Sequence, residues 1–161
     1  MINHGEFDRR LDTLHSYAEK TGVPVVVDHY DPASWEDAVA DHMDERCRHC
    51  YRQRINRSAK FAKEQGFEYL ASSLAVSIYQ KFDVLAEEIE RAARKHGLVA
   101  VNHDYRPLYK DGQQESMDLG MYRQKFCGCK YSFVESFDFR FRRSIIKILK
   151  KKQTELKRKA S

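Results

Sequence analysis

An α/β domain built on a small, mostly parallel sheet is what this sequence predicts, on three observations. Helix and strand signals alternate along the chain, the strand segments read as apolar on both faces, and glycine or proline punctuates the runs. Phe7, Leu11, Leu14 and Ala18 recur at helical spacing, and Gly22 and Pro24 end that run. Val23 to Val27 reads as a buried strand, because its β-branched residues alternate with no polar face. Asp31, Pro32 and Ser34 open a short helix from about Trp35 to His42. A longer helix from about Cys47 to Gln65 carries the stripe Cys47, Tyr51, Ile55, Ala59 and Ala62 and stops at Gly66.

Tyr69 to Val76 is small and apolar and predicts a second strand with the loop that follows it. Phe82, Leu85, Ala86, Ile89, Ala92 and Ala93 predict an amphipathic helix closed by Gly97, and Leu98 to Val101 a third strand. Asn102 to Leu119 is polar and turn-rich and predicts an irregular loop. A last helix is expected over roughly Phe137 to Lys157, with Ile145, Ile148 and Leu149 as its inward face. Residues 1–136 are thus expected to form one α/β domain and residues 137–161 a basic C-terminal helix or tail. Three short strands make a small sheet, and the chain opens close to its first helix, so an N-terminal strand–helix unit is expected to be missing.

The 161 residues suffice for one domain with a core, and no apolar run approaches the length of a membrane span. The opening Met1-Ile2-Asn3-His4-Gly5-Glu6 lacks the basic-then-apolar pattern of a secretory signal, so a soluble cytoplasmic protein is expected. The net charge of +5 is uneven: Arg140 to Lys159 holds ten Lys or Arg against the single acid Glu155. Such a block fits a solvated face, an anionic membrane surface or a nucleic-acid backbone, and does not choose between them alone.

Four cysteines in a chain of this class point to metal binding or redox chemistry rather than structural disulfides. Cys47-Arg48-His49-Cys50 places two thiols one helical turn apart at a helix start, where the dipole favours the thiolate a metal needs. His49 is a candidate further ligand but reads first as a solvent-facing residue inside that motif. Cys127-Gly128-Cys129 is a tighter pair whose glycine permits a sharp turn; a disulfide there would be strained and easily reduced. One structural zinc held by all four cysteines is the competing reading, weakened by the C-x-C spacing.

The flanking residues carry a resemblance. Arg46-Cys47-Arg48-His49-Cys50-Tyr51, with Arg54, Gly66 and Phe67 downstream, resembles the RC-x2-CY-x2-R helix of the QueH family of epoxyqueuosine reductases. Leu119-Gly120-Met121-Tyr122-Arg123-Gln124-Lys125-Phe126-Cys127-Gly128-Cys129-Lys130-Tyr131-Ser132 is similar to that family's glYrQ-x-[YF]CGC-x-[YF]S signature. Ser77-Ile78-Tyr79-Gln80 resembles its SPYQ, Asp104-Tyr105-Arg106 its DFR, and Glu6-Phe7-Asp8-Arg9-Arg10 its EY-x2-R helix. The matches keep the family's order over about residues 2 to 134.

The resemblance implies a three-layer Rossmann-like parallel sheet of the adenine nucleotide α-hydrolase kind, N-terminally incomplete here, with the basic helix appended. It implies cobalamin-independent reduction of epoxyqueuosine to queuosine at the wobble position of tRNAs with GUN anticodons, those for Asp, Asn, His and Tyr. It implies a [4Fe-4S] cluster, admits an additional metal ion, and requires an electron donor. By position, Cys47 and Cys50 would be metal ligands and Cys127 and Cys129 a redox-active disulfide pair. Asp104, His103, Tyr122 and Tyr131 are candidate proton donors to the opening epoxide, and Arg123 and Gln124 candidates to position the nucleotide. Tyr51 is a candidate for the cluster shell or the core, and Arg52 and Arg54 for tRNA phosphates.

Two departures stand out. The family's CC-x-PC cysteines have no counterpart; the favoured expectation is a truncated or misplaced start that leaves the cluster's other ligands outside this sequence, and the alternatives are cysteines supplied by another polypeptide or a degenerate paralogue. Ile78 stands where SPYQ has proline. Two alternatives of other classes remain: a zinc-stabilised RNA-binding module without catalysis, and a membrane-surface protein acting through the basic tail, which leaves the CGC block unexplained.

Overall fold

The computed structural model describes residues 4–29, 31–40, 42–138, 141, 143 and 144. They fall into two compact units, Met1–Val25 with Tyr122–Ser161, and Val26–Met121. In the first, α1 (His4–Thr21) is a single long helix; residues 130–138 form a second helical stretch.

The second unit begins with α2 (Pro32–Ala40), and a 3-10 turn at Met43–Glu45 leads into α3 (Arg46–Glu64). Then come β1 (Tyr69–Leu70), a 3-10 turn at Ser73–Val76, α4 (Phe82–His96) and β2 (Val99–Ala100). A 3-10 turn at Arg106–Leu108 precedes α5 (Tyr109–Asp118). β1 and β2 pair in parallel, Tyr69 opposite Val99 and Leu70 opposite Ala100, with α4 in the crossover between them. The α/β character is thus present in a mostly helical unit with a two-stranded sheet.

The core of this unit is the interface of α3 and α4. Tyr51, Ile55 and Ala59 from α3 pack with Leu85, Ile89, Ala92 and Ala93 from α4, closed by Leu70 and Ala75. These are the two stripes the periodicity marks; each buries one face of an amphipathic helix, worth roughly 25 cal/mol per Å² of apolar area removed from water. α4 ends on Gly97 at φ +67°, a left-handed cap that lets Leu98 N–H reach back to Ala93 O at 2.9 Å and turn the chain into β2.

Three expectations are corrected. Residues 23–29 form no strand, and Val23, Val26 and Val27 are exposed. A β-branched run is permissive of extended structure but needs a strand edge to pair with, and among the described residues none pairs with it. The second strand, expected over Tyr69 to Val76 together with the loop that follows it, is Tyr69–Leu70, and the Ser72 hydroxyl, accepting from Leu74 N–H, starts a 3-10 turn after it. The loop expected over Asn102 to Leu119 contains α5. Its helix is held by local pairs, Gln113 donating to the Tyr109 hydroxyl and Gln114 to Asp118, both at 2.8 Å, and it has no buried residue to reveal it as a stripe. The C-terminal helix starts earlier than Phe137, and Ile145, Ile148, Leu149 and most of the basic tail lie outside the described residues. No helix among the described residues is long and apolar enough to cross a membrane.

Candidate functional site

In the second unit, Cys47 and Cys50 sit in the first turns of α3, both half-buried thiols. The i, i+3 spacing puts them on one face of the helix, and Cys47 also packs against the core. Two thiols so placed fit two corners of a thiolate-held metal centre. Among the described residues no three His, Cys, Asp or Glu side chains converge as a complete ligand set. His49 does not face solvent freely: its ring stacks on His42 with centroids 4.2 Å apart.

Tyr51, next to Cys50, is buried, and its hydroxyl leaves the core to donate to Gln80 Oε1 at 2.7 Å and accept from Lys81 N–H at 3.1 Å. The cysteine helix is thereby tied to the Ser77–Gln80 turn that opens α4, which accounts for the tyrosine and glutamine of two separate sequence motifs. Ile78, in that turn, is exposed.

Beneath the cysteines lies a charge cluster that sequence reading missed. Glu88 is almost wholly buried at 1% exposure, and its carboxylate accepts from Arg52 at 2.8 and 3.1 Å and from Arg91 at 2.7 Å. Arg48 adds a longer contact at 3.5 Å and pairs with Glu87 at 2.6 Å. Burial pushes the Glu88 carboxyl up, but the hydrogen bonds and charges of Arg52 and Arg91 outweigh it and hold it down at about 2. Arg52 is therefore committed to Glu88, whereas Arg54 is exposed. The signal was present, since Glu88 falls on the Leu85–Ala92 stripe of α4.

Glu88→Gln is expected to destabilise this unit by about 2 kcal/mol, below the usual cost of breaking a buried pair because the arginines reach water. Denaturant unfolding of the variant checks it; a midpoint equal to wild type contradicts it. The depressed carboxyl also sets a sign: its stabilising contribution is complete above the ordinary carboxylate range near 4.5 and is lost as pH falls towards about 2.

In the first unit, α1 grips the CGC loop. Arg10 donates through Nη1 to Cys127 O at 3.2 Å and through Nη2 to Phe126 O at 3.1 Å, with its guanidinium over the Phe126 ring. Glu6, one turn earlier, accepts from Arg10 Nε at 2.9 Å and from the Tyr122 hydroxyl at 2.8 Å. Burial raises the Glu6 carboxyl, yet the Tyr122 and Arg10 hydrogen bonds bring it below its ordinary value. The glutamate and arginine of the EY-x2-R helix are thus the two residues that hold the ends of the tyrosine–CGC segment. Sequence reading quoted them without assigning a role.

Gly128 has φ +138°, and a Cβ there would lie 3.1 Å from Arg10 Nη1. Its N–H donates to the Ser132 hydroxyl at 3.2 Å, and Ser132 N–H donates to Cys129 Sγ at 3.3 Å. Cys129 therefore occupies the capping position of the helix at 130–138, its sulfur taking the role of a capping oxygen. Cys127 and Cys129 are both half-buried thiols. Gly128→Ala is expected to strain the turn and displace Arg10, so that both thiols alkylate several-fold faster than in wild type; unchanged alkylation rates would contradict the tight fit.

The remaining candidates divide. Arg123 and Gln124 are exposed just before the CGC loop. Tyr122 has its hydroxyl on Glu6, and Tyr131 is half-buried beside the cysteines with Lys130 over its ring. In the other unit, Arg106 wraps Asp104 through its side chain at 2.7 and 2.8 Å and its backbone N–H at 3.0 Å, holding the carboxyl at about 2. At neutral pH that carboxylate has no proton to give. His103 is exposed, its ring against Tyr105.

Comparison with known proteins identifies the family. The family model described as epoxyqueuosine reductase QueH matches residues 1–135. A protein of Dehalococcoides mccartyi named epoxyqueuosine reductase QueH is 32% identical over 133 residues, 82% of this chain and 73% of that protein. Same-named proteins of Histophilus somni and Thermotoga maritima are 31% and 26% identical, over 77% and 81% of this chain and 54% and 73% of their own lengths. The chain thus spans about three quarters of two of these relatives and little more than half of the third. With the family match running from α1 through the CGC loop, the chain belongs to the epoxyqueuosine reductase QueH family.

Proposed function

We propose that this protein reduces epoxyqueuosine to queuosine in tRNA, as an oxidoreductase of queuosine biosynthesis. The observation that carries the reading is the grip of α1 on the CGC loop: Glu6, Arg10, Tyr122 and the Cys127–Cys129 pair, separate in sequence, act on one another in one unit. Holding that loop in shape has a chemical purpose if its thiols react.

Removing an epoxide oxygen breaks two C–O bonds, takes up two electrons and two protons, and leaves an alkene and water. Cys127 and Cys129 supply that count when their thiols close to a disulfide, which an external electron donor then reopens. Cys47 and Cys50 would hold part of a [4Fe-4S] cluster, which when bound supplies electron transfer and Lewis acidity without cobalamin. An additional metal ion is compatible with this arrangement. Tyr122 or Tyr131 delivers a proton at the CGC loop, Asp104 acts as an ionised anchor for Arg106, and Arg123 and Gln124 meet the wobble nucleotide from their exposed positions.

The substrates are tRNAs with GUN anticodons, and the setting is the cytoplasm. The two-stranded parallel sheet with its helical crossover is read as part of a three-layer Rossmann-like domain over residues 1–136, with 137–161 as a basic extension.

The test is anaerobic incubation of the reduced holoenzyme with tRNA carrying epoxyqueuosine, followed by nucleoside digestion and mass spectrometry. The expected result is a nucleoside one oxygen lighter, identical to queuosine; a colourless protein holding one zinc per chain and leaving epoxyqueuosine intact would overturn the reading.

A further inference from the structure

The second unit contains a cavity of about 420 Å³ between α2, α3 and α4, lined by Ser34, Arg52, Gln53, Asn56, Arg57, Arg91 and Lys95. Every lining residue is polar, and four are cations. Their neutralisation is incomplete. Arg52 and Arg91 share the one carboxylate of Glu88, and Arg57 pairs with Asp28 and also feels the charge of Asp31. Lys95 Nζ donates to Asn56 Oδ1 at 3.1 Å and has no carboxylate partner among the described residues. Arg91 Nη2 is buried with no acceptor.

We propose that this cavity seats a phosphate group of the RNA backbone. The chemistry favours a phosphate over an apolar or cationic ligand: Arg52 and Arg91 share one carboxylate, and Lys95 has only a neutral partner. Gln53 is tied to the Ser34 hydroxyl at 2.5 Å, so the α2 wall of the cavity is fixed before any ligand arrives. The inference rests on the tRNA reading above and adds to it a binding site away from the cysteines of α3, in the described part of the chain rather than its basic tail.

The test uses the double substitution Arg57→Gln, Lys95→Gln in the full holoenzyme. Arg52 and Arg91 stay, so that Glu88 keeps its partners and the core is undisturbed. A control carries Lys60→Gln and Lys110→Gln, two exposed lysines elsewhere in the unit. Substrate tRNA is titrated at two salt concentrations. The cavity variant is expected to bind roughly tenfold more weakly at the lower salt and to lose about one unit of the salt slope, one phosphate contact's worth, while the control changes less than about twofold. Wild type that binds tRNA while the cavity variant matches it in affinity and slope overturns the phosphate seat and leaves the tRNA reading standing. Equal losses in both variants overturn it in favour of a diffuse field. Wild type that fails to bind tRNA at all overturns the tRNA reading itself, and the seat with it.

Discussion

Cys127→Ser and Cys129→Ser are each expected to abolish epoxyqueuosine reduction, by about a thousandfold or more, while iron and sulfide content stay at the wild-type level. The structure separates the two pairs into different compact units, Cys47 and Cys50 on α3 and Cys127 and Cys129 in the loop held by α1. A serine hydroxyl can replace the Cys129 sulfur as acceptor for Ser132 N–H, so the loop keeps its helix cap and loses only its thiol chemistry. If the two thiols act as one two-electron unit, the double variant should be no slower than either single variant. Full activity in both serine variants, measured by nucleoside analysis, would assign the pair a structural role; loss of iron together with activity would make them ligands instead.

Cys47→Ala and Cys50→Ala are expected to do the reverse, removing bound iron and sulfide along with activity. Thiolates hold such a centre, and alanine offers no ligand. Folding should survive: both residues are half-buried, and the core beside them rests on Tyr51, Ile55 and the α4 stripe. The loss of packing at Cys47 should cost on the order of 1 kcal/mol. Metal and sulfide analysis with far-UV circular dichroism separates the outcomes. Wild-type iron content in either variant would remove these cysteines from the metal centre.

What could be read from residues alone follows the physics of each signal. The α3 and α4 stripes were legible because one face of each helix is apolar at a 3.6-residue period and ends at a glycine, and the buried faces are those residues. The two cysteine motifs were legible because thiol spacing limits chemistry. The Val23–Val27 segment misled because strand formation depends on a partner that a local pattern does not contain. α5 was invisible because i, i+4 polar pairs support it without an apolar stripe. Arg10 and Glu6 matched a family motif, but their role was not legible because their partners lie more than a hundred residues away, at Tyr122, Phe126 and Cys127. Glu88 was concealed by the opposite bias, a carboxylate inside an apolar stripe that three arginines from α3 and α4 make tolerable.

Whether the CGC pair gives up the two electrons that remove the epoxide oxygen can be read directly. One turnover measures it: holoenzyme with reduced thiols is mixed anaerobically with excess epoxyqueuosine tRNA and no external reductant, quenched with an alkylating agent, and digested. The expected result is one queuosine formed per chain, with Cys127 and Cys129 recovered as a disulfide-linked peptide and Cys47 and Cys50 outside it. Queuosine formed in that amount with Cys127 and Cys129 both recovered as alkylated thiols would contradict it.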